Sequence, residues 1–158
     1  MRFIDKNKIK DWFSEHVKIQ DSRSFLKAIT EKNVEALEDE LNGRMLKLIS
    51  YLDSHENFYH GFLVGVLSNV QGYEIKSNRE SGKGRSDIFM KNKGVKKNTV
   101  IFELKVIKDR EDPEMVASRA LAQIEEKNYV AELEAAGFKD ILQYGIAFRG
   151  KECLIKVK

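Results

Sequence analysis

Apolar residues in the first fifty positions recur at helical intervals: Trp12-Phe13, Val17, Phe25-Leu26, Ile29, Val34, Leu37, Leu41, Met45-Leu46 and Ile49. Asp21 and Ser22 mark a helix start. A further helix is predicted from about Ser54 to Val70, with Tyr59, Leu63, Val66-Leu67 and Val70 as its apolar stripe and Gly72 just past its end. The period then switches to alternation. YEIKSNR (73–79), SDIFMK (86–91) and TVIFELKVI (99–107) read as strands joined by the Gly-bearing loops ESGKGR and NKGVKKN. Asp112-Pro113 opens a long helix to about Ala136, with Pro at its first position and Gly137 after its end. DILQYGIAF (140–148) and ECLIKVK (152–158) are the last strands, separated by a tight turn at RGK. A helical crossover between strand 99–107 and strand 141–148 makes those two parallel.

These elements predict an α/β domain with a central mixed sheet flanked by helices. No repeat, low-complexity tract or linker divides the chain, and 158 residues suffice for one core. The expectation is a single domain over 1–158, with a helical N-terminal segment (1–52) before an αβββαββ core (53–158).

Within VIFELKV the alternation is broken by charge. Glu103 and Lys105 share one strand face with Ile101 and Ile107, whereas Phe102, Leu104 and Val106 point the other way. Charges are costly to bury without partners, so the two either line a cleft or form an ion pair with each other at a sheet edge. Asp87 begins the preceding strand, and a hairpin between the two strands brings it alongside Glu103. Two carboxylates offering oxygen ligands suit Mg²⁺, and a neighbouring ammonium can orient a water or stabilise developing charge.

Glu56 has two readings. Asp53-x-x-Glu56 resembles a capping box, yet Glu56 also lies in line with the buried stripe and so points towards the sheet. Gln123 and Lys127, one turn apart, flank the stripe of Val116, Ala120 and Ile124. They either touch substrate phosphate or the attacking water, or edge the core.

Charge distribution adds a second clue. The net charge is only +3, but residues 76–110 hold 11 Lys/Arg against 4 Asp/Glu, between mildly acidic flanks. That pattern suits an anionic polymer, or reflects solvated Lys-rich loops. One cysteine, Cys153, excludes an internal disulfide framework and points to a reducing compartment; its place in CLIKV marks it as a packed thiol rather than a nucleophile. No apolar run approaches a membrane span, and MRFIDKNKIKDWF is unlike a signal peptide, so the expected location is cytoplasmic with no membrane partner.

Asp87-x15-Glu103-Leu104-Lys105 after a helical Glu56 resembles the PD-(D/E)xK nuclease superfamily, with its restriction-endonuclease-like fold. ENFYHGFLVGVL, YEIKSNRESGKGRSDI, VIFELKV, RALAQIEEKNY and YGIAFRGKECLIKV further resemble the nuclease-like domain found C-terminal to AAA-ATPase-like domains. The resemblance runs from about residue 30 to the end. It implies a Mg²⁺- or Mn²⁺-dependent nuclease acting on nucleic acid, DNA in the first place, with an ATPase domain or partner. Asp87 and Glu103 are then metal ligands, joined by the Leu104 carbonyl and Glu56. Lys105 is the catalytic lysine and Gln123 the helix residue of the third motif. Arg79, Lys83, Arg85 and Lys127 are the expected nucleic-acid contacts, with Lys96 and Lys97 beyond them. Ser86 replaces the Pro of the motif's name. Many relatives carry Gln-x3-Tyr on the helix; here Lys127 holds that fourth position and the nearest Tyr is Tyr129. The competing reading is a non-cleaving nucleic-acid-binding or protein-interaction module that serves an ATPase.

Overall fold

A computed structural model describes residues 22–48, 56–78 and 87–158. Helix α1 (Ser22–Thr30) and α2 (Val34–Leu48) are joined by a turn in which Lys32 is left-handed and the Asn33 side chain accepts from the Ala36 amide, capping α2. Helix α3 (Glu56–Leu67) follows, and Gly72, at a φ of +85°, turns the chain into the sheet. Five strands pair in chain order: β1 (Tyr73–Asn78), β2 (Asp87–Asn92), β3 (Asn98–Val106), β4 (Lys139–Arg149) and β5 (Glu152–Val157). The β3–β4 pair is parallel and the other three are antiparallel, as the helical crossover between β3 and β4 requires.

Alternation along the strands sorts residues between two cores. One face sends Ile88, Met90, Val100, Phe102, Leu104, Tyr144, Ile146 and Phe148 against α1, α2 and α3, forming the main core. Tyr59 of α3 stacks on Phe148 and donates its hydroxyl to the Gly150 carbonyl, tying helix to sheet. Cys153 is buried on this side, and burial pushes its thiol up to about 12, which fits a packed, inert thiol. The expected mixed α/β sheet with flanking helices and a helical N-terminal part is observed, consistent with a restriction-endonuclease-like fold. Among the described residues no helix is long and apolar enough to cross a membrane.

The crossover departs from the single helix expected to reach Ala136. It consists of α4 (Pro113–Glu126) and α5 (Tyr129–Ala135), interrupted at Lys127 and Asn128. Asn128 adopts a left-handed φ of +57°, a conformation its short polar side chain tolerates and one that ends α4. Both helices cover the second face of the sheet. Val116 and Ala117 meet Ile107 and Ala147, whereas Ile124 and Leu133 meet Phe89 and Ile101.

Gly145 sets how closely α4 lies on the sheet. It pairs with Glu103 across β3–β4, and a Cβ there would overlap the Ala117 carbonyl oxygen and stand 2.9 Å from the Leu121 nitrogen. The obstruction is backbone, so the helix as a whole must move. Gly145→Ala should therefore cost about 1–3 kcal/mol in urea denaturation, with α4 displaced from the strand that carries Glu103.

Candidate active site

Asp87 is the first residue of β2, and the antiparallel register sets it opposite Glu103 of β3. Alternation turns both away from the main core, and each is only 1% exposed. Two buried carboxylates require a counter-charge, and it comes from the end of α4. The Lys127 ammonium donates to Asp87 Oδ1 at 2.8 Å, to Asp87 Oδ2 at 2.9 Å and to Glu103 Oε2 at 3.2 Å. The two carboxylates thus share one cation. The Tyr129 hydroxyl completes the shell, donating to Asp87 Oδ2 at 2.7 Å.

The helix break makes this cluster geometrically accessible. In an unbroken helix, residues 127 and 129 project about 200° apart and cannot reach the same carboxylate. The left-handed Asn128 redirects the chain, so the residue that caps the end of one helix and the first residue of the next converge on Asp87.

Lys105 lies two residues beyond Glu103 on the same face and is half-buried. Burial holds its ammonium below the usual lysine pKa. Glu56 acts in the opposite direction, Arg119 and Lys127 lower the pKa further, and Asp87 raises it. Glu103 and Lys105 form no ion pair; the partner of Glu103 is Lys127. Glu56 opens α3, half-buried, and its charge reaches Lys105. Among the described residues no three acidic or metal-ligating side chains cluster. Asp53, the proposed cap partner of Glu56, lies outside the described residues.

Leu104 sends its side chain into the main core, between the two charged neighbours that face the other way. Gln123 is half-buried on α4 and, among the described residues, makes no side-chain hydrogen bond. It stands between Arg119 and Lys127 at four-residue spacing, giving α4 one polar stripe beside β3. Arg119 is engaged by Glu111 at 2.7 Å. Arg79, Lys83 and Arg85 lie outside the described residues, whereas Lys96 and Lys97 are exposed between β2 and β3.

Tyr129 is the site residue that the sequence pattern did not assign. Asn128 directly after Lys127 is the signal that could have found it, because an Asn past the last apolar stripe position is a helix-ending residue.

The sequence pattern of the PD-(D/E)XK nuclease superfamily matches residues 54–158, covering α3, all five strands and both crossover helices. No curated protein matches the chain. The match spans most of the chain and includes the strands that bring Asp87 and Glu103 together: the chain belongs to the PD-(D/E)XK nuclease superfamily.

Proposed function

We propose that the protein is a divalent-metal-dependent nuclease that hydrolyses phosphodiester bonds of DNA. The observation that carries this reading is the buried Asp87–Glu103 pair, held in register around a single cation position. Carboxylate oxygens converging on one cation are a donor set that fits Mg²⁺ or Mn²⁺. Asp87 and Glu103 would hold the ion, with the Leu104 carbonyl and Glu56 as further candidates from the family resemblance. When bound, such an ion stabilises charge on a phosphoryl group and lowers the pKa of a coordinated water.

The chain's own residues supply the rest. Tyr129 fixes the orientation of Asp87 by hydrogen bonding to Oδ2. Lys105 lies on the same strand face as Glu103, with its pKa lowered by burial, and as the catalytic lysine of the resemblance it would orient the attacking water or stabilise the developing negative charge. Lys127, once released from the carboxylates, presents its ammonium to the phosphate, in keeping with a nucleic-acid contact. Gln123, next along the α4 stripe, is placed to touch the substrate or its water. Arg79, Lys83 and Arg85 are proposed backbone contacts. A cytoplasmic location is supported by the lone cysteine, and an ATPase domain or partner by the resemblance alone.

One observation favours the non-cleaving alternative. An internal ammonium between the carboxylates can replace a metal permanently, leaving a module that binds nucleic acid without cutting. Incubation with single- and double-stranded DNA and with RNA, in Mg²⁺, Mn²⁺ or EDTA, separates the two. Cleavage of DNA in metal and none in EDTA supports the nuclease. Absence of cleavage on every substrate, with no metal-dependent rise in melting temperature, supports the module.

A further inference from the structure

Beside the carboxylate pair, the outer part of the sheet and α5 enclose an open cleft of about 400 Å³. Its floor is β1 and β2, where Lys76 stands opposite Phe89 and Lys91 lies two residues further along the same face. Its wall is Tyr129, Glu132, Leu133 and Phe138. A helix-ending turn fixes Phe138: Gly137, at a φ of +87°, donates to the Glu134 carbonyl, and the Phe138 amide donates to that of Leu133.

Three features identify what fits. Tyr129 is common to cleft and site, because its ring lines the cleft while its hydroxyl is bound to Asp87. Phe89 is two strand positions from Asp87 on the same face, roughly 7 Å. Whatever occupies the cleft is therefore a direct neighbour of the group held at Asp87 and Glu103. The lining is aromatic and basic together: Phe89 and Tyr129 meet edge to face, and the Lys91 ammonium stands 5.6 Å from the centres of both Phe89 and Phe138. Lys76 adds a second cation, loosely paired with Glu74 at 3.8 Å, and among the described residues Glu132 is the one acidic residue of the lining. The exposed Lys93, Lys96 and Lys97 carry positive charge beyond Lys91. Aromatic rings and ammonium groups in a cleft of this size match one nucleotide, base against rings and phosphate against lysines. A duplex must unpair and unstack a base before it can offer one to such a cleft, whereas a single strand need not.

We infer that this cleft binds one unstacked nucleotide adjoining the scissile phosphate, so that the protein selects single-stranded or frayed nucleic acid over intact duplex. The inference rests on the nuclease reading, whose phosphate position it extends.

Fluorescence anisotropy of the full chain in EDTA, with fluorescein-labelled oligo-dT alone or annealed to oligo-dA, tests it apart from catalysis. The single strand should bind more tightly than the duplex. Phe138→Leu, which keeps an apolar side chain in the cleft wall, should weaken single-strand binding about tenfold while leaving the duplex unchanged. Lys91→Gln should also weaken it and make the logarithmic salt dependence shallower by about 0.7. Lys32→Gln, on the turn between α1 and α2, serves as the control. Equal binding of strand and duplex, unaltered in both variants, overturns the inference and leaves the nuclease reading intact. No binding of either probe, together with no cleavage, overturns both.

Discussion

Glu103→Gln should abolish metal-dependent hydrolysis, lowering the rate on the order of a thousandfold or more. A bound divalent ion contributes several kcal/mol to stabilising phosphoryl charge, and each 1.36 kcal/mol is a factor of ten in rate. Asp87→Asn should be equally inactive, but the two variants should differ in stability. Asp87 accepts two bonds from Lys127 and one from Tyr129, whereas Glu103 accepts one longer bond from Lys127. Removing the Glu103 charge leaves the ammonium its better partner and should cost about 1–2 kcal/mol in EDTA. Removing the Asp87 charge leaves the ammonium only the longer Glu103 bond and turns an amide towards it and the Tyr129 hydroxyl, so the loss should approach about 3 kcal/mol. Urea titrations in EDTA measure both, and single-turnover cleavage assays measure activity. Equal stability losses, or cleavage retained in either variant, would remove Asp87 and Glu103 from the proposed roles.

That expectation differs from the one the sequence alone suggests. Two adjacent carboxylates without metal should repel, so deleting one should cost little or even stabilise. The reasoning fails because a third charge, far away in sequence, neutralises the pair. Lys127 is 40 residues from Asp87 and 24 from Glu103, and no local pattern shows that it turns inwards.

The fold was far more legible than this cluster, for a physical reason. Strand alternation in β2 and β3 determines which side chains share a face, so the placement of Asp87, Glu103 and Lys105 together followed from a period of two residues and one hairpin. The parallel β3–β4 pair followed from the length of its connection. The break at Asn128 was harder to read. Alanine, glutamate and leucine on both sides favour helix throughout residues 113–136, and one left-handed residue overrides that preference at small cost. The consequence is large, because the break alone lets Lys127 and Tyr129 converge. Glu56 was ambiguous for a different reason. A position one turn before a buried stripe is compatible with both capping and facing the sheet, and the cap partner Asp53 lies outside the described residues.

Lys127→Met should show whether ammonium and metal compete for the same carboxylates. In the parent protein a divalent ion must displace an ammonium that makes three charge-assisted bonds, and its apparent affinity is reduced by that cost. Without the ammonium, the competition disappears. Mn²⁺ affinity by isothermal titration should rise about tenfold or more. The metal-free protein should instead be weakened, because two buried carboxylates lose their counter-ion; a loss of about 3–5 kcal/mol is expected from such stranded charge. Metal that binds only the folded protein then restores stability in proportion to its affinity. The rise in melting temperature on adding Mg²⁺ should therefore be larger in the variant than in the parent. Lys127→Arg, which keeps the charge, should remain stable without metal. Activity reports the second part of the role: if the released ammonium contacts the phosphate, Lys127→Met should cleave more slowly despite holding its metal more tightly. Unchanged metal affinity and an unchanged melt in EDTA would mean that Lys127 does not stand where the metal binds. Tighter metal binding combined with slower cleavage is the result expected of a displaced, substrate-contacting lysine.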